Sequence, residues 1–127
     1  MRTMFVLISH AMTSSQCDDA TFSLNVTNFK LLDTKRWSKI PADIQDISQY
    51  LEEIKHNILT QAKENDLLLV QGDFGATLMM VNFAHQHNLI PVYATTQRIT
   101  QEKIQGDKVV TTRIFEHIMF RKYQKAS

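Results

Sequence analysis

The amino-acid sequence predicts an α/β fold with a mainly parallel β-sheet, flanking helices and a C-terminal β-hairpin. Short apolar runs without polar breaks, such as Met4–Ile8 and Leu67–Val70, are typical of strands buried on both faces. The segments between these runs carry apolar residues at helical spacing. Near the end of the chain, the turn-forming pair Gly106-Asp107 separates two further β-rich segments, as in a hairpin.

The first third of the chain predicts a strand, a short helix and a second strand. Met4–Ile8 forms the first strand. Thr13 is placed to cap the helix, together with Gln16 at the third helical position. The apolar stripe of this helix and its stop are Cys17, Ala20, Leu24 and Asn25. Val26–Leu32 then predicts the second strand.

The middle of the chain predicts a long helix and then a strand-helix-strand unit. Pro41 suits the first turn of the long helix. One apolar face follows at steps of three and four residues: Ile44, Ile47, Leu51, Ile54, Ile58 and Ala62. Leu67–Val70 is the next strand, Thr77–His87 a central helix, and Ile90–Ala94 the strand that closes the unit.

The last third predicts the hairpin, with strands at Arg98–Ile104 and Val109–Phe120. Strands alternating with helices indicate a Rossmann-like sheet. A chain of 127 residues has the size of one domain, so residues 1–127 are expected to form a single Rossmann-like unit.

Composition narrows the class of protein. Hydrophobic residues make up 43% and charged residues 21% of the chain, which excludes a disordered tail and a coiled coil. No apolar run approaches the ~20 residues of a membrane span. The single cysteine, Cys17, excludes an internal disulfide and a structural zinc cluster. We therefore expect a cytoplasmic protein that is stabilised by its core, without membrane association.

Charge favours a small anionic ligand over a long nucleic acid. The 14 Lys and Arg nearly balance the 13 Asp and Glu, so the strong basic excess of a general nucleic-acid binder is lacking. The charges are unevenly placed, however. Six acids and two bases lie in 43–66, whereas seven bases and three acids lie in 98–127.

The candidate site is predicted at the carboxyl edge of the sheet, where ligands bind in open parallel sheets. Three segments follow strands there: Ser9–Gln16, Gln71–Thr77 and Thr95–Arg98.

In the second of these segments, Gly72 and Gly75 permit close approach of a ligand to the backbone. The alternative is that the glycines only allow the turn while Asp73 caps the next helix. Phe74 discriminates, because an exposed ring could stack on a base whereas a buried ring would staple the helix.

The third segment and the chain end supply hydroxyls, cations and an aromatic ring. Thr95, Thr96 and Arg98 could bind a phosphate, or they could be turn caps and a surface charge. Arg121 and Tyr123 belong to a terminal cluster that a solvated chain end would also produce.

Histidines are the candidate acid-base groups. His10 and His117 lie outside the predicted helices and could transfer protons near neutral pH, although a hydrogen-bonded structural histidine is common at a strand end. His85 and His87 are two residues apart, so on a helix they cannot share a metal. We expect no metal site and no cofactor, and Cys17 is expected to be a small core residue.

Five motifs in chain order carry a resemblance that covers nearly the whole sequence. They are Phe5-Val-Leu-Ile-Ser-His10 with Thr13 and Gln16, Trp37-Ser-Lys-Ile-Pro41, Leu69-Val-Gln-Gly-Asp-Phe-Gly-Ala-Thr77, Val92-Tyr-Ala-Thr-Thr96 with Arg98, and Phe115-Glu-His-Ile-Met-Phe-Arg-Lys-Tyr123. The chain resembles a small Csx-type family of CRISPR-associated proteins found with type III systems. Members are similar to stand-alone CARF domains, which are Rossmann-like dimers that bind cyclic oligoadenylate, and they are regarded as ring nucleases.

The resemblance implies metal-independent linearisation of a cyclic oligoadenylate, most simply cyclic tetra-adenylate, by a homodimer that ends antiviral signalling. The implied catalytic residues are His10, Arg98 and His117. The implied ligand contacts are Ser9, Thr13, Gln16, Gln71, Gly72, Asp73, Phe74, Gly75, Thr95, Thr96, Arg121 and Tyr123. The ribose 2′-hydroxyl would attack the neighbouring phosphorus, which leaves a 2′,3′-cyclic phosphate. Two alternatives stay open: a sensor or sequestering protein that binds the ring without cutting it, and a small interaction module.

Overall fold

The computed structural model describes residues 2–125, which form five strands and four helices. The strands are β1 (Arg2–Leu7), β2 (Val26–Leu31), β3 (Leu67–Val70), β4 (Ile90–Gln105) and β5 (Lys108–Lys122). The helices are α1 (Ser14–Leu24), α2 (Thr34–Ser38), α3 (Ser48–Leu59) and α4 (Phe74–Gln86).

All five strands belong to one sheet with the order β2-β1-β3-β4-β5. The first four strands run parallel, and β5 runs antiparallel to β4. In the central register, Phe5 lies opposite Lys30 on one side and opposite Leu68 on the other. The predicted α/β class, the mainly parallel sheet and the C-terminal hairpin are thus confirmed.

The two faces of the sheet bury separate apolar clusters because side chains alternate along each strand. Met4, Val6 and Leu69 pack on the face covered by α1, which contributes Ala20. Phe5, Leu7, Leu68 and Val70 pack on the other face, against Leu51, Ile54 and Ile58 of α3 and Met80 of α4. The strands β1 and β3 are buried on both faces, as their unbroken apolar sequences predict.

The predicted ends of α1 are confirmed. The Gln16 backbone N–H donates to Thr13 Oγ1 at 3.2 Å, and Gln16 Oε1 accepts from the Thr13 backbone N–H at 3.0 Å. This reciprocal pair satisfies two N–H groups at the start of the helix. At the other end, Asn25 adopts the left-handed conformation with φ 57°, which terminates the helix.

The predicted helix from Pro41 is wrong at its start, because α3 begins at Ser48. The Asp46 carboxylate accepts from the Ser48 backbone N–H at 2.9 Å and from the Ser48 hydroxyl. Such local side-chain bonds compete with helix formation, so the helix starts at Ser48, two residues after Asp46. Ile44, which was assigned to the apolar face, is 41% exposed in the preceding loop.

The separation of Ile90–Ala94 from Arg98–Ile104 is also wrong, because β4 is one continuous strand through both. The threonines that suggested a turn stay in the ladder, which contains a β-bulge at Thr95/Thr96. Thr95 Oγ1 both donates to the Met119 carbonyl (3.1 Å) and accepts from the Met119 backbone N–H (3.2 Å). The predicted turn at Gly106 is confirmed, since Gly106 has φ +62° between β4 and β5.

The helix predicted from Thr77 begins three residues earlier, at Phe74. Asp73 caps it by accepting from the Ala76 backbone N–H at 3.0 Å, as the structural alternative for this turn predicts. Within 2–125, none of the helices is long and apolar enough to cross a membrane.

Candidate functional site

A cleft of about 740 Å³ lies at the carboxyl edge of the sheet, beside the start of the hairpin. All three segments that were predicted to gather at this edge contribute to its wall. The predicted site residues that it brings together are His10, Thr13, Gln16, Gln71, Thr96 and His117. The convergence follows from the parallel order of β1, β3 and β4, whose carboxyl ends meet at one edge.

Gln71, at the floor of this cleft, forms hydrogen bonds with three separate parts of the fold. Its backbone N–H donates to the Leu7 carbonyl at 3.3 Å, so it extends the pairing of β3 with β1. Its backbone carbonyl accepts from Trp37 Nε1 at 2.9 Å, and its side-chain Oε1 accepts from the Ala94 backbone N–H at 2.9 Å. With both oxygens engaged, the side-chain amide nitrogen is the group that Gln71 can offer to a ligand.

His117 belongs to a chain of polar contacts between β5 and α1. Its Nε2 donates to Asp19 Oδ2 at 2.8 Å, and Asp19 Oδ1 accepts from the Ser23 hydroxyl at 2.6 Å. The Ser23 hydroxyl, with a smaller contribution from His117, holds the pKa of the Asp19 carboxyl below its ordinary value. The His117 side chain is only 4% exposed, and its Nδ1 is buried with no hydrogen-bond partner among the described residues.

His10 has a different environment, because its side chain is exposed in the bend that follows β1. Its Nδ1 donates to the Ala11 carbonyl at 3.0 Å, which leaves Nε2 for another partner. The two candidate histidines therefore both line the cleft, His10 exposed to solvent and His117 held by a carboxylate.

Several residues of the cleft were not predicted. Ile99, Gln101, Ile114, Phe115 and Glu116 come from the hairpin and form an apolar wall with one carboxylate. Asp19 was also missed, because in sequence it is one of two adjacent acids on the polar side of α1. Only the packing of α1 against β5, 98 residues away in sequence, gives Asp19 its partner.

Arg98 lies at the rim of the cleft and not among its lining residues. Its guanidinium sits 5.3 Å from the centre of the Phe115 ring, which does line the cleft. Among the residues that the structure describes, the cleft wall contains no lysine or arginine.

A second, shallower pocket of about 450 Å³ opens on the other side of Gln71, which lines both. Its wall is aromatic, with Phe74, Tyr93 and Tyr123. Phe74 is 95% exposed, which excludes the buried staple and leaves its ring available for stacking. The same wall includes Thr77, whose hydroxyl is buried without a hydrogen-bond partner in residues 2–125.

The two tyrosine rings of this pocket are held in place. Their centroids are 4.7 Å apart, and the Tyr123 hydroxyl donates to the Val70 carbonyl at 2.7 Å. Burial, followed by the neighbouring Tyr93, raises the pKa of the Tyr123 phenol. Arg121 donates to the Tyr93 hydroxyl at 3.1 Å, so this predicted contact lies beside the aromatic pocket and outside the cleft.

The remaining predicted residues lie outside the cleft, and Gly72 among them lines the aromatic pocket. A Cβ on Gly72 would lie 2.6 Å from Trp37 Nε1, so this glycine makes room for the indole ring. Asp73 and Gly75 line a separate depression beside the loop that precedes α3. Thr95 is bonded to the Met119 backbone, and Ser9 is exposed after β1 without lining the cleft.

No group of three or more His, Cys, Asp or Glu residues within 2–125 is arranged to hold a metal ion. The single thiol, that of Cys17, is half-buried in α1. No solved structure matches the chain.

Two comparisons by sequence agree with each other. Residues 2–121 match the Uncharacterized protein MJ1673 family. The chain is 48% identical over 126 residues to "Uncharacterized protein MJ1673" of Methanocaldococcus jannaschii, an alignment that covers 97% of this chain and 98% of that protein. The family match spans all nine helices and strands, nearly to the end of β5. The chain therefore belongs to the Uncharacterized protein MJ1673 family.

Proposed function

We propose that the protein is a CRISPR-associated ring nuclease that binds and linearises a cyclic oligoadenylate. The observation that carries the proposal is the convergence of His10, Gln71, Thr96 and His117 on one cleft at the carboxyl edge of the sheet. This edge is where sheets with a reversal of strand order bind nucleotides, and the order β2-β1-β3-β4 has its reversal between β1 and β3. We interpret this parallel part of the sheet as Rossmann-like, and the protein as acting in the cytoplasm.

The chemistry needs no nucleophile from the protein. In the proposed step, the ribose 2′-oxygen forms a bond to the adjacent phosphorus while the bond from phosphorus to the 5′-oxygen breaks. His117 takes the proton from the 2′-hydroxyl at Nδ1, since its Nε2 is held by Asp19, and this step requires the buried Nδ1 to become accessible when the ring binds. His10 acts as the imidazolium: its Nδ1–H stays bonded to the Ala11 carbonyl, and it gives the Nε2 proton to the leaving 5′-oxygen. The products are a 2′,3′-cyclic phosphate and a 5′-hydroxyl.

Asp19 acts through His117 in this scheme and is a positioning residue. Its carboxylate fixes the ring orientation of His117 and stabilises the imidazolium that forms when the proton arrives. Ser23 holds the same carboxylate from its other oxygen. Arg98, at the rim on Phe115, is the cation assigned to the phosphoryl oxygens.

The aromatic pocket suits the adenine bases. Phe74, Tyr93 and Tyr123 present ring faces and edges on which a purine can stack. Gln71 lines both this pocket and the cleft, so its amide nitrogen can donate to a ligand that spans the two. A cyclic tetra-adenylate has two-fold symmetry, and a homodimer with two-fold symmetry presents two matching sites to it.

The test is to incubate the protein with cyclic tetra-adenylate or cyclic hexa-adenylate in EDTA and to separate the products by chromatography. We expect a linear product with a 2′,3′-cyclic phosphate. His10→Ala is expected to lower the rate by about 100-fold or more, whereas His56→Ala, on the exposed side of α3, is expected to leave it unchanged. Asp19→Asn is expected to slow the reaction at least about tenfold, and the neighbouring Asp18→Asn is its matched control.

One observation favours a second candidate function, the sensor that binds the ring without cutting it. The cleft wall contains Glu116 and, among the residues described, no lysine or arginine, so the permanent positive charge for stabilising the added negative charge is Arg98 at the rim. The same experiment separates the candidates. Binding by calorimetry without product at excess protein would select the sensor, and absence of both binding and product would refute both functions.

A further inference from the structure

The hairpin extends well beyond the sheet that supports it. We call its exposed part, 96–105 of β4 and 108–119 of β5 with their turn, the arm. Within the arm, every residue of the two strands is exposed except the half-buried Ile99 and His117. An isolated two-stranded hairpin is at best marginally stable in water, and three or more strands are needed for stability. The arm therefore lacks the neighbours that a ribbon of this length requires.

The arm also exposes much of the apolar surface of the molecule. Seven large apolar residues of the arm are at least 39% exposed: Ile104, Val109, Val110, Ile114, Phe115, Ile118 and Met119. At roughly 150–200 Å² per large side chain, their exposed fractions amount to on the order of 700 Å². Because neighbouring side chains point to opposite faces of the ribbon, this area is divided between two faces, each about the size of the largest apolar patch of a typical monomer.

The outer edge of the arm is a strand without a neighbour. In the sheet order, β5 lies at the edge, so one side of its 15 residues pairs with β4 and the other side has no partner strand among residues 2–125. The segment Val109–Ile114 on this edge is rich in residues that favour strands, and it has neither a proline nor a β-bulge to block pairing. A long edge of this kind is a template for strand addition.

The charges of the arm indicate what can add to it. Four bases and three acids are interspersed along 96–119: Arg98, Glu102, Lys103, Asp107, Lys108, Arg113 and Glu116. This near balance lacks the basic excess that a nucleic acid requires, and it allows two arms to approach without net repulsion. An antiparallel copy of β5 would bring opposite charges and apolar side chains together across a two-fold axis.

We infer that the arm is the dimerisation element of the protein and that β5 pairs antiparallel with β5 of a second copy. The pairing gives a four-stranded arm, which supplies the missing neighbours. Gln101, Ile114 and Phe115 belong both to the arm and to the cleft wall, so the second copy comes to lie beside the cleft. The inference rests on the homodimer of the proposed function and adds the surface through which the two copies associate.

The first test is the mass in solution by light scattering, which uses no ligand and so stands apart from the assay of ring cleavage. We expect twice the chain mass of 14.7 kDa at micromolar concentration. Val109→Lys combined with Phe115→Lys is expected to give the single-chain mass. The matched control is Leu31→Lys, because Leu31 is 73% exposed on β2 at the opposite sheet edge. A monomeric wild type, an unaffected arm variant or a dissociated control would overturn the inference.

The second test does not depend on how the lysine variant folds. Single cysteines at Thr111 or Thr112, in a Cys17→Ser background, are expected to form a disulfide between two chains under mild oxidation, because the antiparallel register that pairs Lys108 with the partner's Glu116 places the two-fold axis at Thr112. Thr27→Cys on β2 is expected to remain unlinked. Equal cross-linking at both sheet edges, or none at either position of β5, would contradict the pairing.

Discussion

Gly72→Ala is the substitution for which the structure gives the sharpest prediction. The added Cβ would lie 2.6 Å from Trp37 Nε1 and 2.9 Å from Trp37 Cε2, and real Cβ atoms do not approach a ring this closely. Trp37 is 2% exposed, so it has no free space into which to move. The indole must shift away from Gln71, and the 2.9 Å bond from Trp37 Nε1 to the Gln71 carbonyl is lost.

The expected loss of stability has two parts. Forcing an extra carbon into a packed core costs about 1–3 kcal/mol. Leaving a buried donor without its acceptor costs about a further 1–3 kcal/mol. The free energy of unfolding is therefore expected to fall by about 2–6 kcal/mol, a large part of the stability of a domain of this size.

The assay is urea unfolding followed by circular dichroism, with Gly75→Ala as the matched control. A Cβ on Gly75 meets its nearest atoms, in Asp73 and Ile47, at 3.7 and 3.9 Å, which is ordinary contact. Because Gly75 lies inside α4, alanine there is expected to stabilise the protein by about 0.4–1 kcal/mol. Similar effects of the two substitutions, or a loss below about 1 kcal/mol for Gly72→Ala, would refute the packing argument.

Three further predictions concern the caps and the titrating groups. Thr13→Ala removes the cap of α1 and is expected to lower the free energy of unfolding by about 1 kcal/mol, measured by urea unfolding, whereas an unchanged midpoint would deny the cap any role. Because the folded pKa of Asp19 is lowered, its stabilising contribution is present above its ordinary value and is lost as the pH falls through the folded value. Asp19→Asn should thus flatten the acid limb of a stability profile, and a limb identical to that of wild type would contradict the contacts of this carboxylate with Ser23 and His117. Because the folded pKa of Tyr123 is raised, its contribution is complete below the ordinary value of the phenol and is lost as the pH rises through the folded value. Tyr123→Phe should remove that alkaline loss and, through the missing bond to Val70, lower the stability at neutral pH by about 1 kcal/mol; no change in either quantity would oppose this assignment.

Features with a local cause could be predicted from the sequence. The helix cap at Thr13 and Gln16 and the stop at Asn25 depend on residues within one turn. The strands β1 and β3 can be recognised in the sequence, because burial on both faces of the sheet favours apolar residues at successive positions of the strand. The carboxyl-edge cleft follows from the parallel order of these strands, so three of its contributing segments could be named in advance.

Features with a distant cause could not be predicted. The contact of Asp19 with His117 spans 98 residues, and nothing in the local pattern of either distinguishes it from a surface charge. Gly72 looks like a ligand-binding glycine in sequence, but its conformation is not one that demands glycine, and the reason for its size is Trp37. The continuity of β4 through Thr95 depends on the backbone of Met119, which accepts a hydrogen bond from the Thr95 hydroxyl and donates one to it.

The bond between Trp37 and Gln71 has a practical consequence. Trp37 is the one tryptophan of the chain, and its Nε1 is held by the residue that forms the floor of both the cleft and the aromatic pocket. Indole fluorescence responds to the hydrogen bonding of the ring nitrogen. A compound that binds Gln71 and shifts it thus changes the fluorescence of Trp37. Because the chain has a single tryptophan, the signal can be assigned to this residue, and ligand binding can be followed by fluorescence without a label.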